Sequence, residues 1–450
     1  VPRARFGTDG IRGVAHSELT VELAFGLGRA AARVLQAPAF LIGRDTRQSG
    51  PDLQAAFSRG AASEGVDVVD VGVLPTPALA FLSEVRGLPA VVVSASHNPF
   101  EDNGIKLFGP GGAKLQPDIE EAIEAELDAV LDSPGPSDHP AGQPIGSLSS
   151  DPGATDEYVA RLCAAFGDRR FDGMHVVLDC ANGAASAVAP RVFASLGTKL
   201  TTLANEPDGT NINAGCGSTN PSMLAAHVVE SGADLGLAFD GDADRLIAVD
   251  GTGAVVDGDV LLALFALDMA ERGQLPGNAV VVTVMTNLGF RLAMAARGIG
   301  VRETPVGDRA VLTALDAEAL ALGGEPSGHI VFRHLATTGD GILTGLSLVD
   351  LVQRSGRPLA EMAHGLIERV PQLLVNVEVD EPHRLAGADA VWAAVADVEA
   401  ALGERGRVVL RASGTEPLVR VMVEAATEDE AAQAAQRLRD AVEGSLGNGR

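Results

Sequence analysis

LGLAFDGDADR, residues 235–245, sets the apolar run Leu235–Phe239 directly against three aspartates. The run does not alternate apolar and polar positions. Continuous apolar strands are those covered on both faces, as in α/β sheets. Comparable runs occur at Phe40–Ile42, Ala90–Val93, Val176–Leu178 and Val280–Val284, with amphipathic helical stretches such as Pro51–Glu64 and Ile119–Leu131 between them. The rhythm recurs three times at a spacing of about a hundred residues, which predicts three related α/β units. From about residue 372 the pattern changes to a strand (Leu373–Val379), a helix (Ala386–Leu402), two strands around RASGTEP (411–417) and a last helix. Thr427 and Glu430 form a capping-box start for that helix. This tail reads as a compact α+β domain. Breaks at 132–153, 251–258 and 369–371 divide the chain into expected domains 1–153, 154–253, 254–369 and 370–450.

The whole chain of 450 residues carries 34 Lys and Arg against 60 Asp and Glu, a net charge of −26. Such a balance opposes sequence-independent binding to nucleic acid or an anionic membrane. With 46% apolar and only 21% charged residues, the chain builds cores and is no acidic disordered tail. Cys163, Cys180 and Cys216 are an odd number at unequal gaps, which fits neither a zinc knuckle nor a disulfide framework. The first residues, VPRARFGTDG, contain no apolar signal core, and the longest apolar run, Val260–Leu267, is too short to span a bilayer. A soluble, cytoplasmic protein is expected.

Three polar loops end buried strands: SASHNP (94–99), FDGDADR (239–245) and GGEPSGH (323–329). Such loops are where α/β proteins bind ligands. Asp240, Asp242 and Asp244 repel one another unless a cation sits among them, and hard oxygen ligands favour Mg²⁺ or Ca²⁺. An EF-hand fails, because Arg245 and Gly251 stand where it needs Gly and Glu. Three carboxylates leave coordination positions open, which suits Mg²⁺ with a phosphate oxygen. Ser94 and Ser96, followed by His97, offer a nucleophile or merely a turn, and the residues themselves do not choose between the two serines. In RASGTEP, Ser413, Gly414 and Thr415 with Arg411 and Arg420 make a phosphate cradle. Glu325, Ser327 and His329 are suited to sugar hydroxyls. GLGRAA (26–31) lies in a helical stretch and lacks the third glycine of a dinucleotide fingerprint; no Walker A motif occurs.

FGTDGIRG (6–13), SASHNPFEDNGIKLFGPGG (94–112), FDGDADR (239–245), GEPSGH (324–329) and RASGTEPLVRVMVE (411–424) occur in an order that resembles the α-D-phosphohexomutase superfamily from end to end. The first and last point to its bacterial branch acting on glucosamine phosphate, although Pro326 stands where that branch has Gln. The resemblance implies an α/β protein of three related mixed α/β sandwich domains plus a smaller C-terminal α+β domain around a central cleft. It implies interconversion of glucosamine 6-phosphate and glucosamine 1-phosphate through a phosphoserine and a 1,6-bisphosphate, on the route to UDP-N-acetylglucosamine. Ser96 becomes the phosphorylated nucleophile. One Mg²⁺ per chain is held by Asp240, Asp242, Asp244 and the phosphate on Ser96. Lys106 becomes a candidate general base, which requires a lowered pKa. His97, Arg12 and Arg245 steady the phosphoryl group. Glu325 and Ser327 bind sugar hydroxyls, with His329 near the reacting end. Arg411, Ser413, Gly414, Thr415 and Arg420 grip the phosphate that is not transferred. A homodimer and a hinge at 369–372 are further implications. Competing readings are a mutase for glucose or mannose phosphates, a Mg²⁺-dependent sugar phosphatase and a non-catalytic sugar-phosphate binder. An anionic substrate on so acidic a chain demands a locally positive cleft.

Overall fold

Leu235–Phe239 is a strand buried at every position. It pairs in parallel with His175–Asp179 and antiparallel with Leu246–Asp250, which is equally buried. The aspartate loop is therefore a hairpin turn between two core strands, where the sequence pattern had suggested a plain strand exit. With Lys199–Leu203 and Val255–Val256 these strands form the five-stranded sheet of the second unit. Val255–Val256 still pairs with this sheet, just past the boundary expected at 253. A computed structural model describes residues 5–7, 9–132, 145–413 and 417–447.

The first unit has a six-stranded sheet in the order Ile11–Val14, Asp102–Phe108, Ala90–Val93, Ala39–Arg44, Asp67–Val73, Leu148–Ser150. Its parallel centre is built from Ala39–Arg44, Ala90–Val93 and Asp67–Val73. Helices Val21–Leu35 and Gly50–Ser63 cross closely on it: a Cβ on Gly28 would lie 2.1 Å from the Phe57 carbonyl oxygen. The glycines of GLGRAA thus serve helix packing. The third unit orders Gly300–Thr304, Ala279–Thr283, Leu322–Gly324 and Ile330–Phe332 in one sheet. The last unit is an antiparallel sheet of Gln372–Glu378, Leu418–Glu424 and Arg407–Ala412, covered by helices Asp389–Leu402 and Glu428–Leu446. Thr427 caps the final helix, accepting from the Glu430 N–H at 3.2 Å.

One apolar core runs through the first three units, from Leu41 through Phe193 and Phe239 to Leu366. The last unit has its own, centred on Val391, Val419, Val421, Val423, Leu438 and Val442. The seam between the two bodies is polar. The buried Glu424 accepts from the Leu288 N–H at the start of helix Leu288–Ala295, and Arg407 donates to Glu424 and to the Thr286 carbonyl. At the linker, the Asn287 amide both donates to the Val370 carbonyl (2.9 Å) and accepts from its N–H (3.1 Å). Among the described residues no helix is long and apolar enough to cross a membrane.

Candidate active site

The strand Ala90–Val93 delivers Ser94 and Ser96 into the interior, and the structure separates their roles. The Ser94 hydroxyl donates to Asp45 (2.6 Å) and accepts the Ser96 N–H (3.0 Å). Ser96 has φ +54°, a left-handed conformation rare for a non-glycine residue. Its hydroxyl donates to Asp240 Oδ2 at 2.6 Å and lies 3.3 Å from His97 Nδ1.

The hairpin loop 240–245 is shaped by Ala243, also left-handed at φ +56°, and by the Arg245 N–H donating to Asp240 Oδ1. It gathers one carboxylate oxygen each from Asp240, Asp242 and Asp244 within 4.8 Å, all buried. Asp242 Oδ2 accepts from Lys106 Nζ (2.7 Å) and Thr76 Oγ1 (2.6 Å). Asp242 Oδ1 and Asp244 Oδ1 are buried and accept no hydrogen bond among the described residues. Burial, then Asp244 and Asp242, push the Asp240 carboxyl well above its ordinary range. Burial would also raise Asp244, but His329, Lys106 and Arg245 outweigh it and hold it low. A crowded carboxylate trio with two orphaned oxygens fits a hard divalent cation.

On the other side of Ser96 lies positive charge. Arg245 Nη1 sits 3.1 Å from His97 Nδ1. Burial, Arg245 and Arg12 push the His97 pKa down to about 4, so the ring is neutral. The Nε atoms of Arg12 and Arg245 are buried without a hydrogen-bond acceptor among the described residues. Two guanidiniums, each with a buried donor that makes no hydrogen bond among the described residues, fit an anion such as a phosphoryl group.

The far wall belongs to the last unit. Arg411 and Arg420 are directly opposed across neighbouring strands. Burial and the charge of Arg420 lower the Arg411 pKa. Like charges facing each other destabilise a sheet unless an anion lies between them. They and Ser413 line an opening of about 840 Å³ shared with Arg12, Arg309, Asp9 and the helix acids Glu120, Glu121 and Glu124. The cleft is thus mixed in charge rather than uniformly positive, since Arg309 is paired with Glu120 at 2.6 Å. Gly414 and Thr415 lie outside the described residues. Arg420→Ala should relieve the repulsion and raise the KM for a sugar phosphate roughly 10- to 100-fold, with a smaller fall in kcat. Steady-state kinetics check this.

Models of the four phosphoglucomutase/phosphomannomutase domains match this chain in order: domain I at 3–132, domain II at 156–253, domain III at 257–370 and the C-terminal domain at 374–441. The phosphoglucosamine mutase of Kineococcus radiotolerans is 50% identical over 97% of this chain and 98% of its own. That of Desulforudis audaxviator is 51% identical over 94% of each. The chain belongs to the phosphoglucosamine mutase family. Among solved structures, a phosphoglucomutase/phosphomannomutase family protein of Burkholderia thailandensis superposes with a TM-score of 0.80 at 28% identity, covering 97% of both chains. The N-acetylphosphoglucosamine mutase of Aspergillus fumigatus, solved with GlcNAc-6P and magnesium, shares the fold at a TM-score of 0.67 and 19% identity, over 98% of this chain and 96% of its own.

Lys106 and His329 both pack against the aspartate loop. Burial alone would lower the Lys106 pKa, but Asp242, Asp9 and Asp244 overwhelm it and hold it above its ordinary value. Lys106 Nζ bridges Asp242 (2.7 Å) and Asp9 (2.9 Å). His329 is buried. Its Nε2 accepts the Gly339 N–H (3.2 Å) and its Nδ1 faces Asp244 at 3.6 Å, so it braces the aspartate loop. Glu325 accepts from the Gly307 N–H (3.1 Å) and lies 3.5 Å from the Ser327 hydroxyl.

Further partners surround the site. Asp9 links Lys106, Arg12 and Lys114. Thr76 holds Asp242. Asp45 and Arg47 are fully buried behind Ser96. Their signal was present in GRDTRQSG (43–50), a charged cluster directly after a buried strand.

Proposed function

We propose that this enzyme interconverts glucosamine 6-phosphate and glucosamine 1-phosphate, carrying phosphate on Ser96 and passing through glucosamine 1,6-bisphosphate, with Mg²⁺ on Asp240, Asp242 and Asp244. The observation that carries the reading is the placement of Ser96 Oγ. It lies 2.6 Å from Asp240, one of three clustered buried carboxylates, and 3.3 Å from His97 Nδ1, which Arg245 Nη1 approaches to 3.1 Å. Relatives named phosphoglucosamine mutase at 50–51% identity support the amino sugar.

Phosphoryl transfer asks a protein mainly for in-line positioning and charge neutralisation. Arg12 and Arg245 hold the phosphoryl oxygens beside Ser96. Lys106 keeps Asp242 oriented and adds positive charge. A bound Mg²⁺ would neutralise charge on the phosphoryl group and on the serine oxygen it leaves. Arg411, Ser413 and Arg420 hold the other phosphate from across the cleft. Glu325 and Ser327 take the sugar hydroxyls between them. Because one grip faces one transfer centre, the bisphosphate turns round and returns its second phosphate to Ser96. The same reading places the enzyme in the cytoplasm.

The test is a comparison of glucosamine 6-phosphate, glucose 6-phosphate and mannose 6-phosphate as substrates, with free phosphate measured alongside. The amino sugar should give the highest kcat/KM, with free phosphate well below sugar 1-phosphate. A preference for a neutral sugar refutes the substrate. Free phosphate appearing as fast as isomerised sugar makes the protein a phosphatase.

A further inference from the structure

Arg47 carries a charge into complete burial, and all of its bonds but the one to Asp45 go to carbonyls of the segment 96–102. Its Nε donates to Asp45 Oδ2 at 2.9 Å. Its Nη2 donates to the Ser96 carbonyl (2.9 Å) and the Asn98 carbonyl (2.8 Å). Its Nη1 donates to the carbonyls of Pro99 and Asp102. These contacts use the full five-donor fork of a guanidinium. A buried cation is expensive unless every donor is matched; here the matches draw four carbonyls of one loop to a single point.

A second donor, from another unit, binds two of the same carbonyls. Asn213 Nδ2 donates to Ser96 O (2.9 Å) and Asn98 O (3.0 Å). Asn213 is itself left-handed at φ +57°, and its N–H donates to the Ala181 carbonyl at 2.9 Å. The approach of the second unit is close: a Cβ on Gly241 would lie 2.5 Å from Ser96 O and 3.0 Å from Asn213 Nδ2. From below, Asp45 takes both the Arg47 Nε–H and the Ser94 hydroxyl, which receives the Ser96 N–H. The unfavourable backbone of Ser96 is thus gripped at its N–H and doubly at its C=O. Strain of this kind persists only where the surroundings over-determine it.

We infer that Arg47 and Asn213 are positioning residues for phosphoryl transfer: together they clamp the Ser96 and Asn98 carbonyls and so aim the serine oxygen at the aspartate loop. Arg47 does so from within the first unit. Asn213 ties the same aim to the unit that carries Asp240, Asp242 and Asp244. Neither touches the sugar, so the clamp acts on the rate of transfer and leaves substrate binding alone. Lysine at position 47 keeps the charge but loses the planar fork, and a misplacement of about 1 Å costs on the order of a hundredfold in rate.

The inference rests on Ser96 as the phosphoryl carrier, and the experiment separates the two. Arg47→Lys, Asn213→Ala and Ser96→Ala enzymes are compared with wild type at saturating Mg²⁺ and activating glucose 1,6-bisphosphate. Measured are kcat and KM for glucosamine 6-phosphate, phosphate on Ser96 by intact mass, and thermal unfolding. Expected is a roughly hundredfold fall in kcat for Arg47→Lys and about tenfold for Asn213→Ala. KM should stay within about threefold in both, since the sugar contacts are untouched. Asn213→Ala should unfold with wild type, so it decides the matter even if Arg47→Lys does not fold. Unchanged kcat in a folded variant, or kcat and KM worsening in proportion, overturns the clamp. An active Ser96→Ala enzyme overturns the carrier instead; an inactive one beside unaffected clamp variants overturns the clamp alone.

Discussion

Ser96→Ala enzyme is expected to lose mutase turnover by on the order of 10⁴-fold or more, while its thermal unfolding stays close to wild type. Among the described residues the hydroxyl hydrogen-bonds only to Asp240 and His97, so truncation removes little packing. The left-handed backbone is no worse for alanine than for serine, and the clamp on the Ser96 C=O and N–H is retained. Peptide mapping of wild-type enzyme should place the phosphate on Ser96. Ser94→Ala is the control with the opposite signature. It cuts the bond chain from Asp45 to the Ser96 N–H, so it should lower stability and leave a phosphorylatable serine. Phosphate on Ser94, with an active Ser96→Ala enzyme, would sink the mechanism.

The second large effect concerns the metal. Stripping divalent cations with a chelator should slow turnover by roughly 10³-fold, the scale of several kcal/mol of lost charge stabilisation. Added Mg²⁺ should restore it. A readout independent of activity follows from the geometry. Three buried carboxylates with oxygens within 4.8 Å strain the metal-free protein, and a bound cation relieves them. Wild-type stability should therefore rise with Mg²⁺, by about 2.7 kcal/mol at a concentration one hundred times Kd. Asp240→Asn removes one of the crowded charges. The metal-free variant should unfold later than metal-free wild type, bind Mg²⁺ more weakly by calorimetry and show little Mg²⁺-dependent gain. Chelated wild type working at full rate would refute the metal site.

The physical reasons for what the sequence disclosed are uneven. Leu235–Phe239 was legible because a strand buried on both faces has no polar position to hide it. Leu246–Asp250 was missed because the loop 240–245, although it holds Asp240-Gly241, is longer than the two-residue turn that announces a hairpin. The metal trio stood out because charges cluster locally in the chain. Arg47 and Asn213 did not, since their meaning lies in carbonyls far along the chain, and a backbone acceptor leaves no mark on residue type. Lys106 shows the sharper limit. Its presence in the NG-x-K stretch was visible, but the direction of its pKa depends on Asp9 and Asp242, brought in from two other strands' ends. His329 likewise gives no sign in the sequence of its partners, Gly339 and Asp244, which stand at its two ring nitrogens.

The last unit's own core has a consequence for how this enzyme fails. It makes that unit a melting body of its own, joined to the rest of the chain by a polar seam at Asn287, Arg407 and Glu424. Heat or mild denaturant should release the smaller unit first, because it has the smaller core and meets its neighbour through polar groups. What remains still holds Ser96, the aspartate loop, Arg12 and Arg245. What is gone is Arg411 and Arg420, the proposed hold on the second phosphate. Half-melted enzyme would then hand its phosphate to water, so damage would turn an isomerase into a slow drain on its own substrate before it becomes inert.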